Sequence, residues 1–270
     1  MIIKISLSAK IPGLYSSKNT HSMEAGKMRH NLYLLMVIFL VFALVFALGC
    51  KKKEEKEGGA KGKYFEDYAG VMEHFKVVYK AGCVDKDVSG VEEEAKNTYD
   101  SWVSLADNYK DAPPSKYAED KNWVEWLAKM GDAFKAIDEQ TQAGNASAVE
   151  GACRNVQELI FDLNERTNNL SAADELSQFT LLIYKMEKAL NEGNGDEAKR
   201  NFRMLKESQD RLYTSPYPDS AKGRTEEFDQ NKDKVYDLLN ELELAGKDKR
   251  QEKLAALKQK AEEFYLEFGF

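Results

Sequence analysis

Residues 127–144, LAKMGDAFKAIDEQTQAG, carry the pattern that organises this chain. Leu127, Met130, Phe134 and Ile137 recur at steps of three, four and three, which keeps them on one face of an α-helix. Gly144 then stands where a left-handed C-cap would end that helix. Counting back by the same offsets from three other glycines repeats the row. Gly82 gives Phe75, Met72, Tyr68 and Phe65, and Gly193 gives Met186, Ile183, Phe179 and Leu176. Gly246 gives a looser copy: Leu239 fits, Val235 is one residue off, and Lys232 breaks the row.

After each glycine a second amphipathic run returns, over Val91–Leu105, Val149–Leu163, Ala198–Leu212 and Leu254–Phe268. Ser89 with Glu92, Ser147 with Glu150, and Ser171 with Asp174 have the spacing of capping boxes at helix starts. From Tyr64 onward the prolines fall in two close pairs, Pro113-Pro114 and Pro216 with Pro218, and strand signals are absent. The expectation is an all-α protein of eight amphipathic helices, each about 20–25 residues long, paired as four αα-hairpins. The glycines are spaced unevenly, by roughly 50–60 residues, which is too long for short helical repeats. Two tandem up-down four-helix bundles, 64–167 and 168–270, account for the count best. A solenoid of helical hairpins with a concave face is the alternative.

Upstream, Leu32–Gly49 is an uncharged run preceded by Lys27, Arg29 and His30 and closed by Ala47-Leu48-Gly49-Cys50. A positive head, an apolar body and small residues at the end describe a secretory signal. The cysteine after the small residue makes the segment resemble a bacterial lipoprotein signal. That resemblance implies cleavage before Cys50, lipid on its thiol, and a membrane partner held through that lipid. At about 18 residues the run is also long enough to span a bilayer uncleaved. Lys51, Lys52 and Lys53 on its far side would then contradict the usual charge asymmetry. Residues 28–49 are therefore read as the signal, and translation is expected to start at Met28 or Met23, with 1–27 an extension read in error. Residues 50–63 form a charged, glycine-bearing tether. The expected location is the cell membrane or outer membrane, with the domain facing the periplasm or cell exterior.

The net charge of −7 and a pI near 5.3 give a nucleic-acid partner no electrostatic basis. Gly58–Lys63 has the wrong spacing for a phosphate loop and no preceding strand. His74 is the only histidine after Cys50, so neither a histidine metal site nor most catalytic triads can be assembled. No Gly-x-Ser-x-Gly element occurs either. No enzyme activity, metal or cofactor is expected.

Phe75-Lys76-Val77-Val78-Tyr79-Lys80-Ala81, and Asn191-Glu192-Gly193 running on to Glu197-Ala198 and Leu205-Lys206, resemble the first and last hairpins of small periplasmic b-type four-helix cytochromes. The likeness covers about 60 residues. It implies a bundle fold and, in that family, haem held by a Met on the first helix and a His on the last. Carried over, those positions fall on Tyr68 and Tyr213, neither of which is the family's ligand.

The better functional lead is aromatic. Tyr99 and Trp102 lie three apart on the second helix, Trp123 and Trp126 three apart on the third, and the Pro113-Pro114 connection brings both pairs to similar height. They are candidates for core burial or for the lining of a pocket that takes a hydrophobic or sugar-like ligand. The expected function is a membrane-anchored helical binding or interaction module whose partner is an envelope protein or a small ligand. An electron carrier of the b-cytochrome kind and a structural spacer lipoprotein are the rivals. Two further cysteines, Cys83 and Cys153, are expected to remain free. Cys83 follows its tip glycine directly, whereas Cys153 lies nine residues past its own, about two helical turns lower. A bridge needs Cα atoms within roughly 7 Å, and only an inward dip of the loop 83–88 would close that gap.

Overall fold

The computed structural model describes residues 61–246 and 248–270, and every regular element among them is helical. Cys50, the signal 28–49 and the extension 1–27 lie outside the described residues. Eight α-helices follow one another: α1 (Lys61–Tyr79), α2 (Glu92–Tyr109), α3 (Trp123–Gln142), α4 (Ala146–Arg166), α5 (Ala172–Asn191), α6 (Gly195–Thr214), α7 (Thr225–Leu244) and α8 (Arg250–Phe268). Their lengths run from 18 to 21 residues, slightly shorter than the spacing suggests, because turns take up the ends. The last residues of the expected tether, Lys61–Lys63, already belong to α1.

The hairpins form as the repeated row implies, and sequential helices pack in both halves. In the first half Phe75 on α1 meets Phe134 on α3 edge-on at 5.5 Å. In the second half α5 touches both α6 and α8, and α7 packs on α8. The two sets of four helices meet through α4 and α5 and share a single hydrophobic core. The rows from Leu127 and from Leu176 are buried throughout. In the row from Phe65 the first member fails: Phe65 is 47% exposed, and its neighbour Tyr64 turns inward instead. Lys232 is also buried, against expectation for a charge. Its stem fills the missing apolar position while Nζ sits 4.5 Å from the Tyr213 ring centroid and bonds Asp229 at 2.7 Å.

The helix ends correct several local readings. Gly144 and Gly193 do take left-handed φ of 67° and 73°. Gly82 does not end a helix, since Lys80–Asp85 continues α1 as a π-helical turn and Lys86 supplies the left-handed residue. Gly246 likewise yields the cap to Ala245, in an extended conformation. Of the three capping boxes only Ser171–Asp174 forms, with Ser171 N and Oγ both donating to Asp174 Oδ2 at 2.7 Å. Helix α2 is instead entered from Val91, and α4 from Asn145, whose Oδ1 accepts from Ala148 N at 3.2 Å. The sidechain oxygen nearest the free N–H groups wins the cap, and the tight Gly144-Asn145 turn places Asn145 there, ahead of Ser147. Asn145→Ala is expected to destabilise by about 1 kcal/mol and Ser147→Ala by much less, measured by urea unfolding.

Candidate functional site

The three indoles are packing anchors. Trp102, Trp123 and Trp126 are buried, and each indole N–H donates to a backbone carbonyl on another segment: Leu127 at 3.1 Å, Tyr109 at 2.9 Å and Leu159 at 2.7 Å. Trp126 stacks on Trp123 at 5.2 Å and meets Trp102 edge-on at 5.4 Å. Tyr99 is half-buried against the same core. The structure thus gathers the tryptophans into one aromatic cluster, and Trp126 also lines an open cavity.

That cavity, of about 260 Å³, opens between α1, the Ser115–Tyr117 turn, α4, α5 and the C-terminal residues Gly269 and Phe270. Its apolar walls include Tyr64, Tyr68, Trp126 and Tyr265, and its polar groups include Lys116, Asn164 and Asp174. Local sequence builds each side. The i, i+4 spacing on α1 stacks Tyr68 on Tyr64 at 5.9 Å. The Pro113-Pro114 turn leads into the short helix that turns Tyr117 inward, where its ring stacks on Trp123 at 5.5 Å. The first turn of α5 brings Asp174 to the floor.

A buried polar chain lies along that floor. Tyr117 Oη donates to Asn164 Oδ1 at 3.0 Å, and Asn164 Nδ2 donates to Asp174 Oδ1 at 2.7 Å, while Asp174 Oδ2 holds Ser171. Every member has a partner, so the chain stiffens the floor without leaving a polar atom stranded. The phenols above it differ. Burial pushes both Tyr64 and Tyr68 well above the ordinary phenol range, so both are neutral donors, and neither donates to another described residue. Burial also raises the Tyr117 and Tyr265 phenols. At the mouth, Lys116 Nζ lies 5.3 Å from the Tyr117 ring centroid, and desolvation lowers its ammonium against the opposing pull of Asp174 and Asp219.

The chain matches no family model, no curated protein and no solved structure. The chemistry therefore has to be judged from the side chains alone. Among the described residues no group of three or more His, Cys, Asp or Glu side chains is placed to hold a metal ion, and no helix is long and apolar enough to cross a membrane. His74 is half-buried, with Nδ1 2.6 Å from Glu94 Oε2, and links α1 to α2. Tyr68 and Tyr213, the two positions aligned with haem ligands by resemblance, do not share a site. Tyr68 lines the cavity, whereas Tyr213 is exposed on α6 and donates to Asp233 at 2.9 Å.

Sequence reasoning missed most of this lining. Tyr64, Tyr117 and Tyr265 come from three distant segments, and nothing in their local pattern marks them as neighbours. The unusual density of tyrosine near Tyr64 and Tyr68 was the only available signal.

Proposed function

We propose that this protein is a cell-envelope lipoprotein, held to the membrane by lipid on Cys50, whose helical domain binds a small ligand in the cavity beside Trp126. The observation that supports binding is the lining of the cavity, where the aromatic walls Tyr64, Tyr68, Trp126 and Tyr265 stand beside the polar groups of Lys116, Asn164 and Asp174. A ligand with hydroxyl or amide groups would pair with the phenols, the ammonium and the carboxylate of that lining. Aromatic walls favour a molecule with one apolar face, and the volume suits a single ring or a small pair of rings. A sugar-like ligand has both properties. The anchor rests on the sequence Ala47-Leu48-Gly49-Cys50 and its charge layout.

Titration of the protein with N-acetylglucosamine and its β-1,4-linked disaccharide tests the reading, with tryptophan fluorescence as the signal because Trp126 lines the cavity. Saturable quenching is the expected result. Tyr68→Phe keeps the ring, removes one hydroxyl, and should weaken binding about 5–10-fold. Absence of a response to these sugars and to a hydrophobic naphthalene dye would remove the binding function. Intact mass of the detergent-extracted protein tests the anchor separately: loss of everything before Cys50 and gain of acyl chains is expected.

A further inference from the structure

The inward dip that would be needed to bring Cys83 to Cys153 is present. The π-helical turn Lys80–Asp85 buries Ala81, Gly82 and Cys83 against α4. A Cβ on Gly82 would sit 2.7 Å from Val149 Cγ1 and 3.6 Å from Glu150 N, so glycine is what lets the turn approach α4 so closely. Val149 and Cys153 are one turn apart on α4 and face the same core. Cys83, next to Gly82, is thereby brought to the height of Cys153. Both side chains are almost fully buried, and both are free thiols in this structure. The helix runs on past Gly82 to Asp85 and the chain turns back only over residues 86–90, so Cys83 lies below the tip and not at it.

We propose that Cys83 and Cys153 are a site of disulfide formation, tying the end of α1 to α4. The source of oxidant, though not the geometry, rests on the export reading above. The bond forms by thiol–disulfide exchange with an incoming disulfide, either an oxidoreductase's or oxidised glutathione. The Cys83 thiolate attacks that disulfide and releases one thiol. The Cys153 thiolate then displaces the second thiol and closes the Cys83–Cys153 bond. Two protons and two electrons leave the cysteines, and the incoming disulfide is reduced. Burial and the neighbouring Cys83 thiol hold Cys153 far above the ordinary thiol range, so exchange precedes the docking of α4 or needs the π turn to open.

The test uses the full chain, unfolded and then refolded in a buffer of oxidised and reduced glutathione, alkylated, and digested with trypsin. The expected product is peptide Ala81–Lys86 linked to peptide Ala136–Arg154, which distinguishes this bond from any involving Cys50. Reduction should then lower the melting midpoint by about 5–15 °C, and a C83A/C153A double variant should show no response to reductant. Recovery of both peptides with alkylated thiols from protein of native circular dichroism would overturn the proposal. Formation of the link in vitro, but not in protein extracted from cells, supports the site and counts against export.

Discussion

Replacing Glu262 with alanine is expected to destabilise the domain by about 3–5 kcal/mol. Glu262 on α8 and Arg154 on α4 are both buried and meet at 2.5 Å across the junction of the two helix sets. Tyr79 donates to Glu262 Oε2 at 2.6 Å and accepts from Arg154. Gln157 Oε1 accepts from Arg154 at 2.9 Å and passes the network on to Thr180 on α5 at 2.9 Å. Burial alone would lower the Arg154 guanidinium, but Tyr79, Cys83 and Glu262 outweigh it and hold its charge firmly. The alanine variant leaves the buried guanidinium without its hydrogen-bonded carboxylate, with only Glu150, 3.5 Å away, as an ionic partner. Urea unfolding followed by circular dichroism measures the loss. Replacing both partners, Arg154→Met with Glu262→Leu, should cost far less than the single change, because no charge is left unpaired. Equal losses in the single and double variants would mean that packing, rather than the ion pair, carries the junction.

Trp126→Ala should cost about 3–5 kcal/mol as well, for a different reason. Its ring is packed between Trp123 and Trp102, and its N–H holds the Leu159 carbonyl on α4. Truncation opens a cavity at the centre of the first helix set and removes one wall of the open site beside it. Ligand binding and stability should therefore fall together. A variant with an unchanged melting midpoint and no binding would make Trp126 a ligand contact alone. Trp126→Phe separates the contributions, since it keeps most of the aromatic contact and gives up only the hydrogen bond. It should lose about 1–2 kcal/mol.

The eight helices and their pairing were legible in the chain because each is defined by a local period. Phe134 and Ile137 must face the same way as Met130 whatever the rest of the molecule does, and Gly144 can end that helix without help from elsewhere. Ser171 and Asp174 cap α5 through atoms three residues apart. The proposed membrane location rests on one stretch, Leu32–Cys50, alone.

Contacts between distant segments were not legible in this way. Periodicity places a residue on a face but not opposite a partner, so Tyr64 replaced Phe65 in the core and Lys232 found an aromatic niche where the row seemed to fail. Helix α1 runs on past Gly82 to Asp85, and the missing Cβ of Gly82 lets that turn close on α4, which is why Cys83 and Cys153 are neighbours and not two turns apart. Arg154 and Glu262 lie 108 positions apart, and each alone reads as an ordinary solvated charge. The cavity is decided in the same way: Tyr68, Tyr117, Asp174 and Tyr265 converge only once α4 packs on α5. Sequence settled what each helix is, since that depends on neighbours along the chain. Tertiary packing decided which side chains share a site, since that depends on how buried volume is filled between helices.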